Sequence, residues 1–357
     1  MKILIACGGT GGHLFPGLAV AETLLSRKHQ VKLLVSEKSV DSAALSALTN
    51  GSGLSATTVP AVGYTGSRGL MRFCVRLRRA VDDCAAVCRE FEPDVVLGMG
   101  GYTSAPAIWA ARRGRGVATL IHESNAVPGK ANRLAGKIAD HVAVGLADCA
   151  RFFGRKPVTV TGTPIRSALR KVSDAHDRLG LERERLTVLV MGGSQGANAI
   201  NESMAEALPW LGDWRERSQF VHLTGPRDEA TVRAAYRRNE FTGKVMGFCN
   251  EMELAYSAAD LVVARSGAAT LTELATFGLP AILIPFPAAA GNHQLHNARV
   301  FKRAGAARIA EPSKLAGEIH GLLANDATRT RMAAAARSLA VENASERIAD
   351  LVEAHAN

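Results

Sequence analysis

The chain opens Met1-Lys2-Ile3-Leu4-Ile5-Ala6-Cys7-Gly8-Gly9-Thr10-Gly11-Gly12-His13-Leu14-Phe15-Pro16-Gly17, and the fold is decided by how this stretch is read. Lys2–Ala6 is a short, almost wholly apolar run closed by glycines, the pattern of a buried strand. Pro16–Lys28 beyond the glycines has an Ala-rich helical period. Strand, glycine turn and helix in this order make the opening βα unit of a doubly wound domain. The run before the glycines is too short for the apolar core of a signal peptide, so the protein is expected to stay in the cytoplasm.

The same pattern returns in the second half. Thr187–Met191 leads into Gly192-Gly193-Ser194-Gln195-Gly196 and then a helical segment, Asn198–Leu208. Around these two units, further β-rich runs occur at Val31–Val35, Val95–Gly98, Ala118–His122, His141–Val144 and Val158–Val160. The second half adds Gln219–Leu223, Lys244–Gly247, Leu261–Ala264, Ala281–Pro285 and Ala307–Ile309, with helical segments at Ala268–Phe277 and His293–Arg303. Alternation of this kind predicts parallel sheets covered by helices on both faces. With 357 residues, 47% of them apolar, the chain suits two such α/β domains. Thr161-Gly162-Thr163-Pro164 reads as the hinge, giving domains 1–163 and 164–340. The tail from Asp326 is helical by composition, and its last part, about 341–357, is expected to return to the first domain.

Charge and cysteine content narrow the class. Of the formal net charge of +10, residues 1–165 carry all but one unit. Such asymmetry predicts a polyanionic partner for the first half, either nucleic acid or an anionic membrane surface. No nucleic-acid module is present and aromatics do not interleave the arginines, so nucleic acid is set aside. No run approaches the ~18 apolar residues of a membrane span. The six cysteines are scattered without a C-x-x-C pair, and they read as spectator thiols.

Each glycine loop gathers backbone N–H groups at the positive end of a helix, where a phosphate is favoured. Neither loop fits the dinucleotide fingerprint G-x-G-x-x-G or the P-loop pattern. A third glycine pair, Gly100-Gly101 with Tyr102, follows the run Val95–Gly98. Three such loops at strand ends predict a ligand site on that side of the sheets.

Seven motifs, in order, resemble those of one family. They are Gly9-Thr10-Gly11-Gly12-His13-Leu14-Phe15-Pro16-Gly17, Gly100-Gly101-Tyr102, His122-Glu123-Ser124-Asn125, Gly192-Gly193-Ser194-Gln195-Gly196, Arg265-Ser266-Gly267-Ala268, Thr272-Glu273-Leu274 and Gly291-Asn292-His293-Gln294. The family is the bacterial peptidoglycan N-acetylglucosaminyltransferases, the MurG family, and the likeness runs through essentially the whole chain. It implies the GT-B architecture: two Rossmann-like doubly wound domains facing a central cleft. It also implies transfer of N-acetylglucosamine from UDP to the 4-hydroxyl of N-acetylmuramoyl-pentapeptide on undecaprenyl pyrophosphate, converting lipid I to lipid II. The linkage inverts from α to β, which calls for single displacement with a general base.

Carried over by position, the resemblance assigns donor binding to Thr10, Gly11, Gly12, Asn125, Arg166, Ser194 and Cys249. The run Ala268-Ala269-Thr270-Leu271-Thr272-Glu273 and Gln294 complete the donor set. Glu273 is expected to take both ribose hydroxyls, and Gln294 and Asn125 to select the hydroxyl pattern of the sugar. Arg166 would stabilise departing UDP. Cys249 stands where the family commonly has Ile beside the uracil, and Ser124 replaces a common Gln. Gly100, Gly101, Tyr102 and His13 would hold the acceptor. Two roles are open to His13, general base or ligand of an acceptor phosphate, and Glu123 is the reserve base. His293 and His296 have metal-like spacing without further ligands, so no metal and no resident cofactor are expected.

The basic excess finds its place in residues 68–79, where Arg68, Arg72, Arg76, Arg78 and Arg79 occur with no acid. Leu70, Phe73, Leu77, Val81 and Cys84 follow helical spacing and should face the core. Met71 and Val75 lie off that stripe among the arginines, and Trp109 precedes Arg112, Arg113 and Arg115. An apolar patch ringed by cations suits peripheral binding to anionic lipid at the cytoplasmic face of the inner membrane. Other cell-wall and division proteins are further expected partners. The alternatives are another GT-B enzyme, such as a glycolipid glycosyltransferase or a UDP-N-acetylglucosamine 2-epimerase, and a non-catalytic nucleotide-binding protein recruited to the membrane.

Overall fold

The computed structural model describes residues 1–9, 11–36, 54–60, 70–114, 116–193 and 196–356. The chain divides into two compact units, Met1–Arg166 with Val341–Asn357, and Ser167–Ala340.

The first unit is built on a parallel sheet of seven strands: β1 (Lys2–Ala6), β2 (Gln30–Ser36), β3 (Ser55–Val59), β4 (Val95–Gly98), β5 (Ala118–Glu123), β6 (His141–Val144) and β7 (Val158–Val160). Their spatial order is β3-β2-β1-β4-β5-β6-β7, so the winding reverses between β1 and β4. Ile3 stands opposite both Val31 and Val95, and Ile5 opposite both Leu33 and Leu97. Alternate side chains of a strand leave on opposite faces, and β1 divides its residues accordingly. Ile3 and Ile5 join a core with Leu14, Leu18 and Leu24 of the helix Gly11–Ser26 and with Ile348 and Val352 of the last helix, Ala344–His355. Leu4 and Ala6 join the opposite core, with Val81, Cys84 and Val87 of the helix Leu70–Phe91 and with Ile108. The last helix is therefore an integral layer of the first unit. It is also held at its edge by Arg27 to Asp350 and Glu353 (2.6 and 2.9 Å) and by His29 to Glu353 (2.7 Å).

The second unit repeats the plan with six strands: β8 (Leu186–Met191), β9 (Ser218–Leu223), β10 (Gly243–Met246), β11 (Leu261–Ala264), β12 (Ala281–Leu283) and β13 (Ala307–Ile309). The order is β10-β9-β8-β11-β12-β13, all parallel, with the reversal between β8 and β11. Val188 and Val190 pack with Ile200, Met204, Phe220 and Val232, while Met191, Tyr256, Leu271, Leu274 and Phe277 are buried as well.

Two local expectations need correction. The first helix begins at Gly11, not Pro16, so His13 lies in its first turn and Pro16 inside it. The strand β3 went unread: Ser-Ala-Thr-Thr-Val is polar because it is a largely exposed edge, paired among the described residues with β2 alone.

Candidate active site

In a doubly wound sheet, ligands bind beyond the carboxyl ends of the strands, where the winding reverses. The glycine loops of both halves sit at those two places.

In the first unit, Cys7-Gly8-Gly9 leaves β1 and Met99-Gly100-Gly101 leaves β4. Thr103 and Ser104, at the start of the helix Ser104–Ala111, tie the two turns together. Gly8 N–H donates to Thr103 Oγ1 (3.0 Å) and Gly100 N–H donates to Ser104 Oγ (2.8 Å). Gly100 and Gly101 have φ of +102° and +78°, in the region that favours glycine. A Cβ on Gly100 would come within 2.6 Å of His13 Cδ2, and one on Gly101 within 3.1 Å of His13 Nδ1. The imidazole of His13 thus lies directly on the double-glycine turn, half-buried, with Tyr102 46% exposed beside it. The four residues assigned to the acceptor come together.

The adjoining loop after β5 is organised by Glu123. Its Oε1 accepts from Asn125 N–H (2.9 Å) and Asn125 Nδ2 (2.8 Å), and its Oε2 from Gly129 N–H (3.1 Å) and Asn132 Nδ2 (3.0 Å). A carboxylate offers about four acceptor positions, and here they are filled, on a side chain only 3% exposed. Glu123 is thus a buried anchor that ties its loop together through both carboxylate oxygens. Asn125 is turned toward this anchor through its amide nitrogen. Asn132, which sequence reading missed, also donates to His122 O (3.1 Å) and lies against Gly100, linking the two loops.

His122 is fully buried, with Nε2 at 2.8 Å from Gly162 O and Nδ1 at 3.5 Å from Ser124 Oγ. Burial lowers its pKa, so the ring is neutral, Nε2 donates to the carbonyl and Nδ1 is left to accept. Gly162, φ +75°, has no room for a side chain because Val341 lies 2.6 Å from where its Cβ would be. Arg166 ends this unit, its guanidinium 5.2 Å from the centre of the Phe15 ring.

In the second unit, β11 runs into Arg265-Ser266-Gly267 and then the ten-residue helix Ala268–Phe277. Its N-cap, Gly267, supplies no side-chain cap, so the first N–H groups, those of Ala268, Ala269 and Thr270, have no intrahelical partner. Leu271 differs: its N–H donates to Gly267 O (3.0 Å) and its side chain is 1% exposed in the core. Thr272 Oγ1 donates back to Ala268 O (3.0 Å). Glu273, one turn into the helix, receives the Tyr256 hydroxyl on Oε2 at 2.6 Å.

Ser266 and Gln294 bind one another's loops. Ser266 Oγ donates to Gln294 O (2.8 Å), Asn297 Nδ2 donates to Ser266 O (3.1 Å), and Phe286 N–H donates to Gln294 Oε1 (2.9 Å). With its carbonyl oxygen held, Gln294 presents its amide nitrogen as a donor. Cys249 is half-buried, and burial pushes its thiol pKa up, so it acts as a small apolar residue. Thr10, Ser194, Arg68 and Arg115 fall outside the described residues. Among the described residues, no three His, Cys, Asp or Glu are grouped to hold a metal.

On the helix Leu70–Phe91, Met71 and Val75 are 82% and 64% exposed, with Arg72, Arg76, Arg78 and Arg79 exposed around them. Val81 and Cys84 are buried and Leu77 packs on the core. Trp109 is the exception in this group. It packs, half-buried, against the core. Arg112 and Arg113 are ion-paired with Asp140 and Asp82 (2.7 and 3.1 Å). Among the described residues, no helix is long and apolar enough to cross a membrane.

Residues 3–144 match the glycosyltransferase family 28 N-terminal domain, and residues 187–351 the C-terminal domain of that family. A UDP-N-acetylglucosamine--N-acetylmuramyl-(pentapeptide) pyrophosphoryl-undecaprenol N-acetylglucosamine transferase from Syntrophotalea carbinolica is 40% identical over 98% of this chain and 97% of its own. The chain belongs to the MurG family. A crystal structure of Acinetobacter baumannii MurG superposes with a TM-score of 0.79 at 29% identity, covering 99% of both chains. MurG-family membership and the two parallel sheets give the chain the GT-B architecture. A UDP-GlcNAc 2-epimerase from Neisseria meningitidis has a TM-score of 0.70 over 99% of this chain and 100% of that one. At 14% identity that likeness is one of fold alone.

Proposed function

We infer that this protein transfers N-acetylglucosamine from UDP-N-acetylglucosamine to the 4-hydroxyl of undecaprenyl-pyrophosphoryl-N-acetylmuramoyl-pentapeptide, the step from lipid I to lipid II in peptidoglycan synthesis. The observation that carries this is the near full-length identity with transferases named for that reaction. The geometry supports the same division of labour. In our reading the second unit takes the donor: the unsatisfied N–H groups at Ala268–Thr270 face its diphosphate, Glu273 the ribose and Gln294 the sugar. The donor assignments that the resemblance gives to Asn125 and Arg166 fall in the first unit.

We assign the acceptor to the first unit. His13 rests on Gly100-Gly101 within reach of a group bound beyond β1 and β4, and it takes the proton from the attacking hydroxyl as UDP departs. Glu123, saturated by its own loop, holds that loop still. The exposed Met71 and Val75, ringed by Arg72, Arg76 and Arg79, would rest on the anionic cytoplasmic face of the inner membrane, where the lipid acceptor lies. No resident metal or cofactor enters this proposal. Release of UDP tests it: release should depend on a lipid I analogue and fail with a lipid lacking the N-acetylmuramoyl group. Release that ignores the acceptor would overturn the assignment.

A further inference from the structure

Tyr256 belongs to the short helix Met252–Ala258 and is outside every motif that the sequence singles out. Its side chain is 1% exposed, and its ring lies 5.2 Å from that of Phe277. The hydroxyl reaches Glu273 Oε2 at 2.6 Å, with Met191 Sδ at 3.6 Å. A phenol has one proton to donate, and a carboxylate is a far stronger acceptor than a thioether. The hydrogen therefore goes to Glu273, and the sulfur packs against the oxygen.

We propose that Tyr256 is a positioning residue for the donor, orienting the Glu273 carboxylate before the ribose arrives; this rests on the reading of Glu273 as the ribose ligand. A glutamate on a helix otherwise samples several rotamers, and fixing one of them costs entropy when ligand binds. A short hydrogen bond to a charged acceptor is among the strong ones, and this one comes from a ring clamped in the core. Both ends of the bond are tied to rigid elements: Tyr256 to its helix and Phe277, Glu273 to the helix Ala268–Phe277. The orientation cost is thus met in folding, as preorganisation requires. The pairing also explains why a tyrosine hydroxyl is buried at this point of an otherwise apolar face.

The test compares affinity for UDP with affinity for 2′,3′-dideoxy-UDP by titration calorimetry on wild type, Tyr256→Phe, Glu273→Ala and the double variant. Tyr256→Phe removes one oxygen and adds no volume. It should weaken UDP by about tenfold and the dideoxy nucleotide by less than about twofold. In turnover, the change should fall on donor KM rather than kcat. In the Glu273→Ala background, Tyr256→Phe should cost nothing further, because the two act as one unit. The ratio of the two affinities is read on a single protein sample, so a change in folded fraction cancels. Equal weakening of both nucleotides would make Tyr256 merely structural and overturn the proposal. So would unchanged UDP affinity in Tyr256→Phe when Glu273→Ala is impaired. Unchanged UDP affinity in Glu273→Ala would instead remove the ribose reading itself, and the proposal with it.

Discussion

His13 is the residue to which the proposed reading gives the proton transfer, and kinetics separate its two roles. The imidazole is held against a double-glycine turn that accepts no side chain. A base lost from the transition state costs about a hundred- to ten-thousand-fold in rate. His13→Ala should therefore lower kcat by at least about a hundredfold while the Kd for UDP stays near wild type. A rise in acceptor KM with kcat preserved would make His13 a ligand of the acceptor only. Gln294→Ala should narrow discrimination between N-acetylglucosamine and N-acetylgalactosamine donors, because the amide is oriented by Phe286 N–H to donate. Unchanged discrimination in paired KM measurements would take it out of the sugar pocket.

At the scale of elements, the glycine punctuation was the most legible part of the chain. Twelve strands and the two βα units could be read because buried parallel strands are continuous apolar runs. The edge strand β3 and the first turn of the helix Gly11–Ser26 could not, since neither carries that signal. The candidate site was legible through motifs, but the loads on its residues were not. In space Glu123 also anchors its loop, and the Leu271 and Trp109 side chains also pack on the core. Asn132 and Tyr256 carry no local pattern, because their partners belong to other elements of the fold.

The helix Leu70–Phe91 supplies a test at this scale. In the proposed reading its arginines and exposed Met71 and Val75 meet anionic lipid, an attraction that is electrostatic and salt-sensitive. Replacing Arg72, Arg76 and Arg79 together by Glu should release the protein from vesicles containing anionic lipid, and raised salt should do the same to wild type. Affinity for UDP should be unchanged in the same variant. Sedimentation with vesicles decides it, and equal binding by both proteins would leave the charge of the first half without this role.

For the whole molecule, the buried histidines tie stability to pH. His222 is fully buried between Asn201 Oδ1 (3.0 Å) and the Tyr236 hydroxyl (3.2 Å), and burial lowers its pKa to about 3. His122, in the other unit, is lowered for the same reason. The unfolded chain takes up a proton at each site near pH 6.5, while the folded chain at His222 does not until about pH 3. Stability is thus fully present above the unfolded pKa and falls as pH drops from about 6.5 toward 3. Between pH 7 and 5 the loss should be on the order of 2 kcal/mol for His222, and His122 adds to it in the same direction. Urea midpoints measured across that range should decline, less steeply in His222→Gln; a flat profile would contradict the buried neutral rings.

The most direct measurement of the central claim is the product itself. Incubated with UDP-N-acetylglucosamine and a lipid I analogue, the protein should yield one product heavier by a single N-acetylglucosamine residue. Magnetic resonance of that product should show a β linkage to the 4-hydroxyl of the N-acetylmuramoyl sugar. An α linkage, attachment at another hydroxyl, or free N-acetylmannosamine derived from the donor would contradict the account.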